Sequence, residues 1–184
     1  VGEGVSGAGD GSGVGAGGRG EGGARDAGAE AGRGGERAMR RLMEATFPDD
    51  GGDGGEFGHV RESAEYVWVL DPMDGTESFI CGLPLWGTLI GLTHRGRPCY
   101  GLMSQPFTRE RFFGDGEAAY WRGPARGPAG ARGALETRKI ATRHCPKLAQ
   151  ATLMTTSPLL IEPALREHFH RVDGAARLSR YGGD

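Results

Sequence analysis

Two aspartates end an apolar run near the middle of the chain. Asp71 and Asp74 follow the apolar residues 66–70 within the stretch WVLDPMDGTESF. A strand that ends here leaves its last side chains at the rim of a sheet, where ligands bind in α/β proteins. Two carboxylates so close together repel each other unless a cation lies between them. Because no histidine or thiol is nearby, these hard oxygen donors favour magnesium over zinc.

The residues around the two aspartates suit a phosphate group. Pro72 stiffens the turn, and the carbonyl of Met73 is expected to point into the same space. Gly75 lets the backbone approach a ligand closely. Thr76 offers a hydroxyl and an N–H at a predicted helix start, and free N–H groups at a helix N-terminus bind phosphate. Together these residues predict metal-assisted hydrolysis of a phosphate ester.

A surface turn is the alternative for this stretch. In that interpretation Asp71 and Asp74 only accept hydrogen bonds from nearby backbone N–H groups, as aspartates do in Asx-turns. The apolar run before the aspartates and the Gly-Thr pair after them favour the metal site instead.

Composition excludes several classes of partner. The chain has 184 residues and a formal charge of -2, so no strong field draws it to nucleic acid. It has no apolar run of the ~20 residues that a membrane span needs. The aspartate motif predicts a small phosphorylated substrate as the partner, with no nucleic acid and no membrane, and a homodimer is left open. Three cysteines without CxxC spacing argue against a zinc site or disulfide framework, and indicate a reducing compartment, the cytoplasm or a plastid.

Glycine content divides the chain. Sixteen of the 36 glycines fall in the first 35 positions, and this segment has no apolar period, so residues 1–35 are predicted to be disordered. Residues 36–147 are predicted to form a metal- and phosphate-binding α+β domain, and residues 148–184 the incomplete start of a C-terminal α/β domain.

The first domain is expected to open with a helix and to continue in antiparallel strands. The helix should bury one apolar side, made of Ala38, Met39, Leu42, Met43 and Phe47. Residues 48–58 are predicted to be a loop, and the run before Asp71 a strand buried on both faces.

Several stretches of the chain resemble the inositol monophosphatase family. They are AEYVWVLDPMDGTESFICGLPLWGTLIGL, GRPCYGLMSQPFTRERFFG, TRKIATRHCPKLAQATLMTTSP and RLSRYGGD. Within the family, the pattern is similar to that of the histidinol-phosphate phosphatases. The resemblance covers Glu36–Asp184. It implies a mixed α+β fold, a layered αβαβα sandwich that is truncated in the second domain, and a magnesium-dependent phosphomonoesterase of histidine biosynthesis.

The resemblance also implies roles for residues. Asp71, the Met73 carbonyl, Asp74 and the remaining Glu56 would hold magnesium. Asp74 and Thr76 would be catalytic, with Thr76 helping to activate the water, and Gly75 and Thr76 would supply phosphate-binding amides. Glu77 either contacts substrate or lies on a solvated helix face. Asp184 would lie beside the substrate, where an acid suits the ammonium and imidazole of histidinol phosphate.

Three departures from the family pattern matter as much. Gly55 stands where the family's Gly-Glu-Glu motif has its metal-binding glutamate, although Glu56 remains and Asp53 is near. Gly32 stands where the family has an aspartate, and the chain ends before the family's last metal-binding aspartate. Fewer ions than the family's two or three, and low activity for this fragment, are therefore expected. The rival interpretations are a phosphatase for inositol or nucleotide phosphates, and a non-catalytic remnant with a weak metal site.

Overall fold

The computed structural model describes residues 20–125 and 133–182. A large sheet contains eight strands: β1 Gly51–Gly54, β2 Gly58–Val60, β3 Tyr66–Asp74, β4 Gly87–His94, β5 Arg97–Gln105, β6 Glu110–Gly114, β7 Ala119–Pro124 and β8 Leu135–Ile140. A small sheet contains β9 Thr152–Thr155 and β10 Leu178–Tyr181. The α-helices are α1 Gly20–Thr46, α2 Thr76–Ile80 and α3 Arg166–Ala175, and 3-10 turns occupy Leu148–Gln150, Pro158–Leu160 and Pro163–Leu165. The predicted mixed α+β fold is confirmed.

Sheet topology follows the chain closely. The strand order is β2-β1-β3-β4-β5-β6-β7-β8, and β3 to β8 form an antiparallel meander. The turn between β4 and β5 has positive φ at Arg95 (51°) and Gly96 (75°), as a two-residue type I′ turn requires. This turn lies where the sequence predicted it. By contrast β1 runs parallel to β3, and β9 runs parallel to β10.

Helix α1 corrects the prediction of disorder over residues 1–35. Residues 1–19 lie outside the described part, but the chain is helical from Gly20 onward. Gly28 and Gly32 are buried, and α1 lies against β3 and α2. A Cβ on Gly35 would come within 2.9 Å of the Pro72 Cβ, and one on Gly28 within 2.9 Å of the Thr76 Cγ2. The glycines thus form a smooth face that packs closely, which outweighs their poor helix propensity.

The buried face of α1 differs from the predicted apolar one. Ala38 is exposed and Leu42 is 69% exposed. Glu36 is buried instead, and Met39, Arg40 and Met43 are partly buried. The face that meets the sheet is therefore made of glycines in its first half and of long polar and thioether side chains in its second.

Two predictions about the strands also need correction. The predicted loop 48–58 contains β1, which pairs with Val67–Leu70 of β3 although three of its four residues are glycine. Strand β3 is buried on one face rather than on both, since Leu70 is 3% exposed and Val69 is 42% exposed. Helix α1 lies against β3, and both Val69 and Leu70 line a cleft.

The C-terminal elements are held together by a polar contact. The Tyr181 hydroxyl of β10 donates to Asp173 Oδ1 of α3 at 2.9 Å. The Ser179 and Tyr181 hydroxyls lower the pKa of Asp173, and the same bond raises the pKa of Tyr181. None of the helices in the described ranges is long and apolar enough to span a membrane. The boundary at residue 147 remains a prediction.

Candidate metal and phosphate site

A β-bulge lies between the two aspartates of β3. Asp71 pairs with Leu89 and Asp74 pairs with Gly87, so three steps along β3 match two steps along β4. Pro72 lies inside the bulge and cannot donate to the ladder, while the Thr88 hydroxyl donates to its carbonyl at 2.9 Å. Residues three apart on a regular strand face opposite sides. Because Leu89 and Gly87 face one side of β4, the bulge places Asp71 and Asp74 on the same face.

Asp71 also shows the turn geometry that the sequence left as an alternative. Its Oδ1 accepts a hydrogen bond from the Met73 N–H at 3.1 Å, two residues ahead. The side chain is nevertheless exposed and lines the cleft. One carboxylate oxygen of Asp71 therefore stabilises the turn. The side chain as a whole remains accessible to a ligand in the cleft.

The turn after β3 has the backbone that its glycine requires. Gly75 has φ 82° and precedes α2, which begins at Thr76 as predicted. A Cβ on Gly75 would lie 2.6 Å from the Leu85 carbonyl oxygen, so a side chain is excluded twice, by conformation and by space. The Thr76 hydroxyl donates to the Met73 carbonyl at 3.0 Å. Thr76 and the carbonyl predicted to bind metal are thus in direct contact.

A cleft of about 1000 Å³ adjoins this turn. Asp71, Met73, Thr76 and Glu77 line one side, and Asp53 and Glu56 of the β1–β2 hairpin line the other. Asp74 lines a separate, smaller cavity with Trp86, Gln105 and Thr155. The structure thus gathers most of the predicted site residues around one cleft. Asp184, the predicted substrate residue, lies outside the described residues.

Gly32 and Gly55, where the family resemblance predicts carboxylates, differ in their surroundings. A Cβ on Gly55 would meet no atom within 4 Å, so this position opens into space. A Cβ on Gly32 would lie 3.2 Å from Glu56 Oε1 and 4.0 Å from the Met73 Cβ. The carboxylate of Glu56 therefore occupies the room that a side chain at Gly32 would take.

Asp53 has a partner that the sequence did not indicate. His59 Nδ1 lies 2.9 Å from Asp53 Oδ1 and 3.7 Å from Glu62 Oε1. Asp53 and His59 face each other across the β1–β2 ladder. Asp53 is thus engaged at the edge of the hairpin, and Glu56 is the hairpin acid whose carboxylate lies beside Gly32.

The donors around the cleft fit magnesium by their chemistry. Asp71 and Glu56 offer carboxylates and Met73 a carbonyl, and Mg²⁺ is usually held by one or two carboxylates with waters and substrate phosphates. No group of three or more His, Cys, Asp or Glu side chains is arranged to hold a metal ion within residues 20–125 and 133–182. A magnesium ion held by Asp71, Glu56 and Met73 would complete its shell with water and phosphate oxygens.

Known proteins share this sequence over most of its length. The chain matches the inositol monophosphatase family over residues 12–179. The chain belongs to the inositol monophosphatase family. It is 41% identical over 151 residues to the Arabidopsis thaliana protein named bifunctional phosphatase IMPL2, chloroplastic, and covers 40% of that protein with 81% of its own length. It is 33% identical over 155 residues to a Mycobacterium tuberculosis histidinol-phosphatase and covers 56% of that protein with 83% of its own length.

A solved member of the family has the same fold. The inositol monophosphatase from Zymomonas mobilis superposes with a TM-score of 0.68 at 38% identity, over 83% of this chain and 54% of that one. The chain thus spans about half the length of these relatives, and its sheet and helices are those of the inositol monophosphatase family.

One ion pair of α1, which contacts the β1–β2 hairpin, was missed by sequence reasoning. Glu36 is 0% exposed and lies 2.7 Å from Arg40 Nε. An acid and an arginine four residues apart usually indicate a solvated helix face. The only signal is their spacing from Gly28 and Gly32, which places all four on one side of α1.

Proposed function

We propose that this chain carries the metal- and phosphate-binding part of a magnesium-dependent phosphomonoesterase, and that histidinol phosphate is its preferred substrate. The observation that carries the proposal is the bulged end of β3, where Asp71 and Asp74 share a face next to the Gly75–Thr76 turn. The names of two relatives, a bifunctional phosphatase and a histidinol-phosphatase, support the reaction and the substrate. Family membership supports magnesium.

Different residues of the chain would bind the cation, bind the phosphate and orient the water. Asp71, Glu56 and the Met73 carbonyl would hold the cation from the main cleft, Asp74 would add a ligand from its own cavity, and the Gly75 and Thr76 amides would bind the phosphate. Thr76 orients the attacking water with its hydroxyl, which is already held by Met73. Asp74 contacts the leaving side, since it lines the cavity beyond the turn, and Glu77 and Asp184 contact the substrate. Bound magnesium would polarise the phosphate oxygens and lower the pKa of water.

Inositol phosphate is a second candidate substrate. The 38% identical Zymomonas mobilis structure is that of an inositol monophosphatase. The apolar and amide side chains around Asp74, namely Trp86, Met103 and Gln105, suit a flat heterocycle better than a ring of hydroxyls.

A non-catalytic role is the third candidate. Gly32 and Gly55 leave the cleft without two carboxylates that the sequence comparison led us to expect. A non-catalytic protein would release no phosphate even when completed, whereas the first proposal predicts measurable phosphate release.

The test is phosphate release with magnesium, measured on two proteins. We expect the 184-residue chain to turn over far below the typical enzyme median of about 10 s⁻¹. A chimera, completed with the carboxy-terminal half of the Arabidopsis relative, should prefer histidinol phosphate over inositol 1-phosphate by at least about tenfold in kcat/KM. Comparable values would remove the substrate assignment, and an inactive chimera would favour the remnant.

A matched pair of variants tests the site within the chimera. Asp74→Asn should lower kcat by about 10²-fold or more, because the amide lacks the negative charge that a metal ligand contributes. Asp49→Asn changes an exposed aspartate in the turn after α1 and should leave kcat unchanged. Equal activity of the two variants would contradict the role of Asp74.

A further inference from the structure

Glu36 is a carboxylate that α1 buries completely beneath the sheet. It is 0% exposed, and both of its oxygens are bonded. Oε1 accepts from Arg40 Nε at 2.7 Å, and Oε2 accepts from the Glu56 backbone N–H at 2.9 Å. A buried charge is costly unless it is paired and hydrogen-bonded, so the partners of Glu36 are required for its presence there.

Those bonds hold both ends of one turn. Arg40 Nη2 donates to the Gly58 carbonyl, while Glu36 holds the Glu56 N–H. A Cβ on Gly54 would collide with the Glu36 carboxylate, so the strand before the turn leaves room for this acid. We name Glu36 and Arg40 the α1 clamp, because together they fix the β1–β2 turn to the helix.

The same helix face provides a place for the Glu56 side chain. Gly32 lies one turn before Glu36, and Glu56 Oε1 lies 3.2 Å from where its Cβ would stand. The Met73 Cβ borders the same space at 4.0 Å. The backbone of Glu56 is therefore set by Glu36, and its carboxylate is received by the Gly32 space, beside the bulged end of β3.

We infer that Glu36 is a positioning residue for the cleft, which acts with Arg40 and the Gly32 space to set the carboxylate of Glu56 beside Met73. The inference rests on the proposed function for one point only, the role of Glu56 as a magnesium ligand. Glu36 and Gly32 would then affect cation binding through Glu56, in addition to any effect on stability. A structural role predicts that only stability changes when either residue is altered.

Two glycines on α1 allow a matched test. Gly32→Ala places a methyl group against the Glu56 carboxylate and should displace it. Gly34→Ala adds the same methyl group where no atom lies within 4 Å. Both changes favour the helix equally, but the methyl group at Gly32 must also displace the Glu56 carboxylate, so Gly32→Ala should gain less in Tm than Gly34→Ala.

Calorimetric titration with magnesium separates the two variants. Gly32→Ala should weaken Mg²⁺ binding to the 184-residue chain by about tenfold or more, the usual effect of disturbing a ligand's support. Gly34→Ala should bind as the unaltered chain does. Equal affinity of the two variants would overturn the inference, and this pair remains informative if changes at Glu36 prevent folding.

Hydrogen exchange tests the clamp without reference to activity. Glu36→Gln places an amide where Arg40 and the Glu56 N–H both need an acceptor, so exchange at the Glu56 amide should become at least about tenfold faster. Glu30→Gln changes an exposed glutamate of the same helix and should leave that amide unchanged. A lower Tm in Glu36→Gln with unchanged exchange at Glu56 would reduce Glu36 to a structural role and overturn the inference.

A last variant separates this inference from the proposed function. Glu56→Gln should weaken Mg²⁺ binding as much as Gly32→Ala does. If Glu56→Gln binds magnesium normally while Glu36→Gln still frees the Glu56 amide, the metal role proposed for Glu56 fails and the clamp stands. If Glu56→Gln weakens binding and Glu36→Gln has no effect on exchange or affinity, the clamp fails and the metal role stands.

Discussion

The glycines of the cleft differ in the room that each one leaves for a side chain. Gly55 projects into open space, whereas Gly32 borders the carboxylate of Glu56. A side chain at Gly55 would therefore start in open space, whereas one at Gly32 would compete with Glu56 for room. The two replaced positions are thus not equivalent, although the sequence presents both simply as glycine.

Gly55→Glu should strengthen magnesium binding without restoring catalysis. We expect Mg²⁺ affinity of the 184-residue chain to rise by about tenfold, because affinity follows the number of charged ligands. Phosphate release from histidinol phosphate should rise by no more than about tenfold, because two-ion hydrolysis needs ligands on both sides of the phosphate. Gly34→Glu, which adds the same charge at another open glycine, is the control. Turnover near 10 s⁻¹, about the enzyme median, would show that the chain needs no further ligand.

The residues around β3 could be predicted because their signal is local. An apolar run, a proline and a Gly-Thr pair lie within a dozen positions, and they indicate a strand end, a stiff turn and a helix start. The α1 clamp could not be predicted, because Glu36 and Arg40 indicate a solvated helix face in isolation. Their burial depends on β1, whose glycines carry no side-chain pattern at all.

The same reason explains which elements could be predicted. The antiparallel strands β4 to β7 alternate between apolar runs and glycine turns, so periodicity reveals them. Helix α1 and strand β1 are specified by close packing between glycine-rich surfaces, which leaves no hydrophobic period to detect. Composition alone therefore predicted disorder where the structure has a helix.

The short connection between β3 and α2 should tolerate no side chain at Gly75. Gly75→Ala combines a left-handed conformation with a contact of 2.6 Å to the Leu85 carbonyl oxygen. Gly82 has the same left-handed conformation (φ 72°), but a Cβ there would have no neighbour within 4 Å. We expect Gly82→Ala to cost about 1 kcal/mol, and Gly75→Ala to cost about 2 kcal/mol more because the backbone must move. Urea unfolding measures both, and equal losses would show that the Leu85 contact relaxes freely.

The junction of α3 and β10 should depend on pH. The Ser179 and Tyr181 hydroxyls lower the pKa of Asp173, so this group contributes stability above the unfolded pKa and loses it as pH falls through the folded pKa. Asp173 raises the pKa of Tyr181, so that contribution is lost as pH rises through the folded tyrosine pKa. The contact therefore stabilises the fold between about pH 4 and pH 10.

Tyr181→Phe should remove that contribution. We expect the pKa of Asp173 to rise but to stay below its ordinary value, because Ser179 still donates. The loss in Tm should be largest near neutral pH and should shrink in acid. NMR titration of Asp173 and melting curves across pH check both points, with Tyr120→Phe, a ring that stacks on Phe113, as the control. A loss in Tm that does not change with pH would contradict the role of the ionised carboxylate.

At the scale of the whole molecule, little apolar surface is enclosed. Leu70 and Trp121 are the buried apolar side chains of the described residues, while Val69, Met154, Leu159 and Leu160 are between 42% and 83% exposed. The chain spans about half the length of the relatives it matches. The activity proposed here therefore concerns the complete family fold, of which this chain provides the β3 side of the cleft.

The meander and the parallel strand β1 also imply an order of folding. Strands β3 to β8 join neighbours in the chain, so each hairpin closes a short loop. The contacts of α1 bridge longer separations, as between Gly35 and Pro72, and closing them costs more chain entropy. We expect the meander to form first and α1 with β1 to dock afterwards, so Glu56 reaches the end of β3 only in the final step.

Mutations that slow refolding should then concentrate in β4 and β5, whereas Gly35→Ala, which affects docking, should mainly speed unfolding. Stopped-flow refolding measures this, and slower refolding in Gly35→Ala would reverse the order.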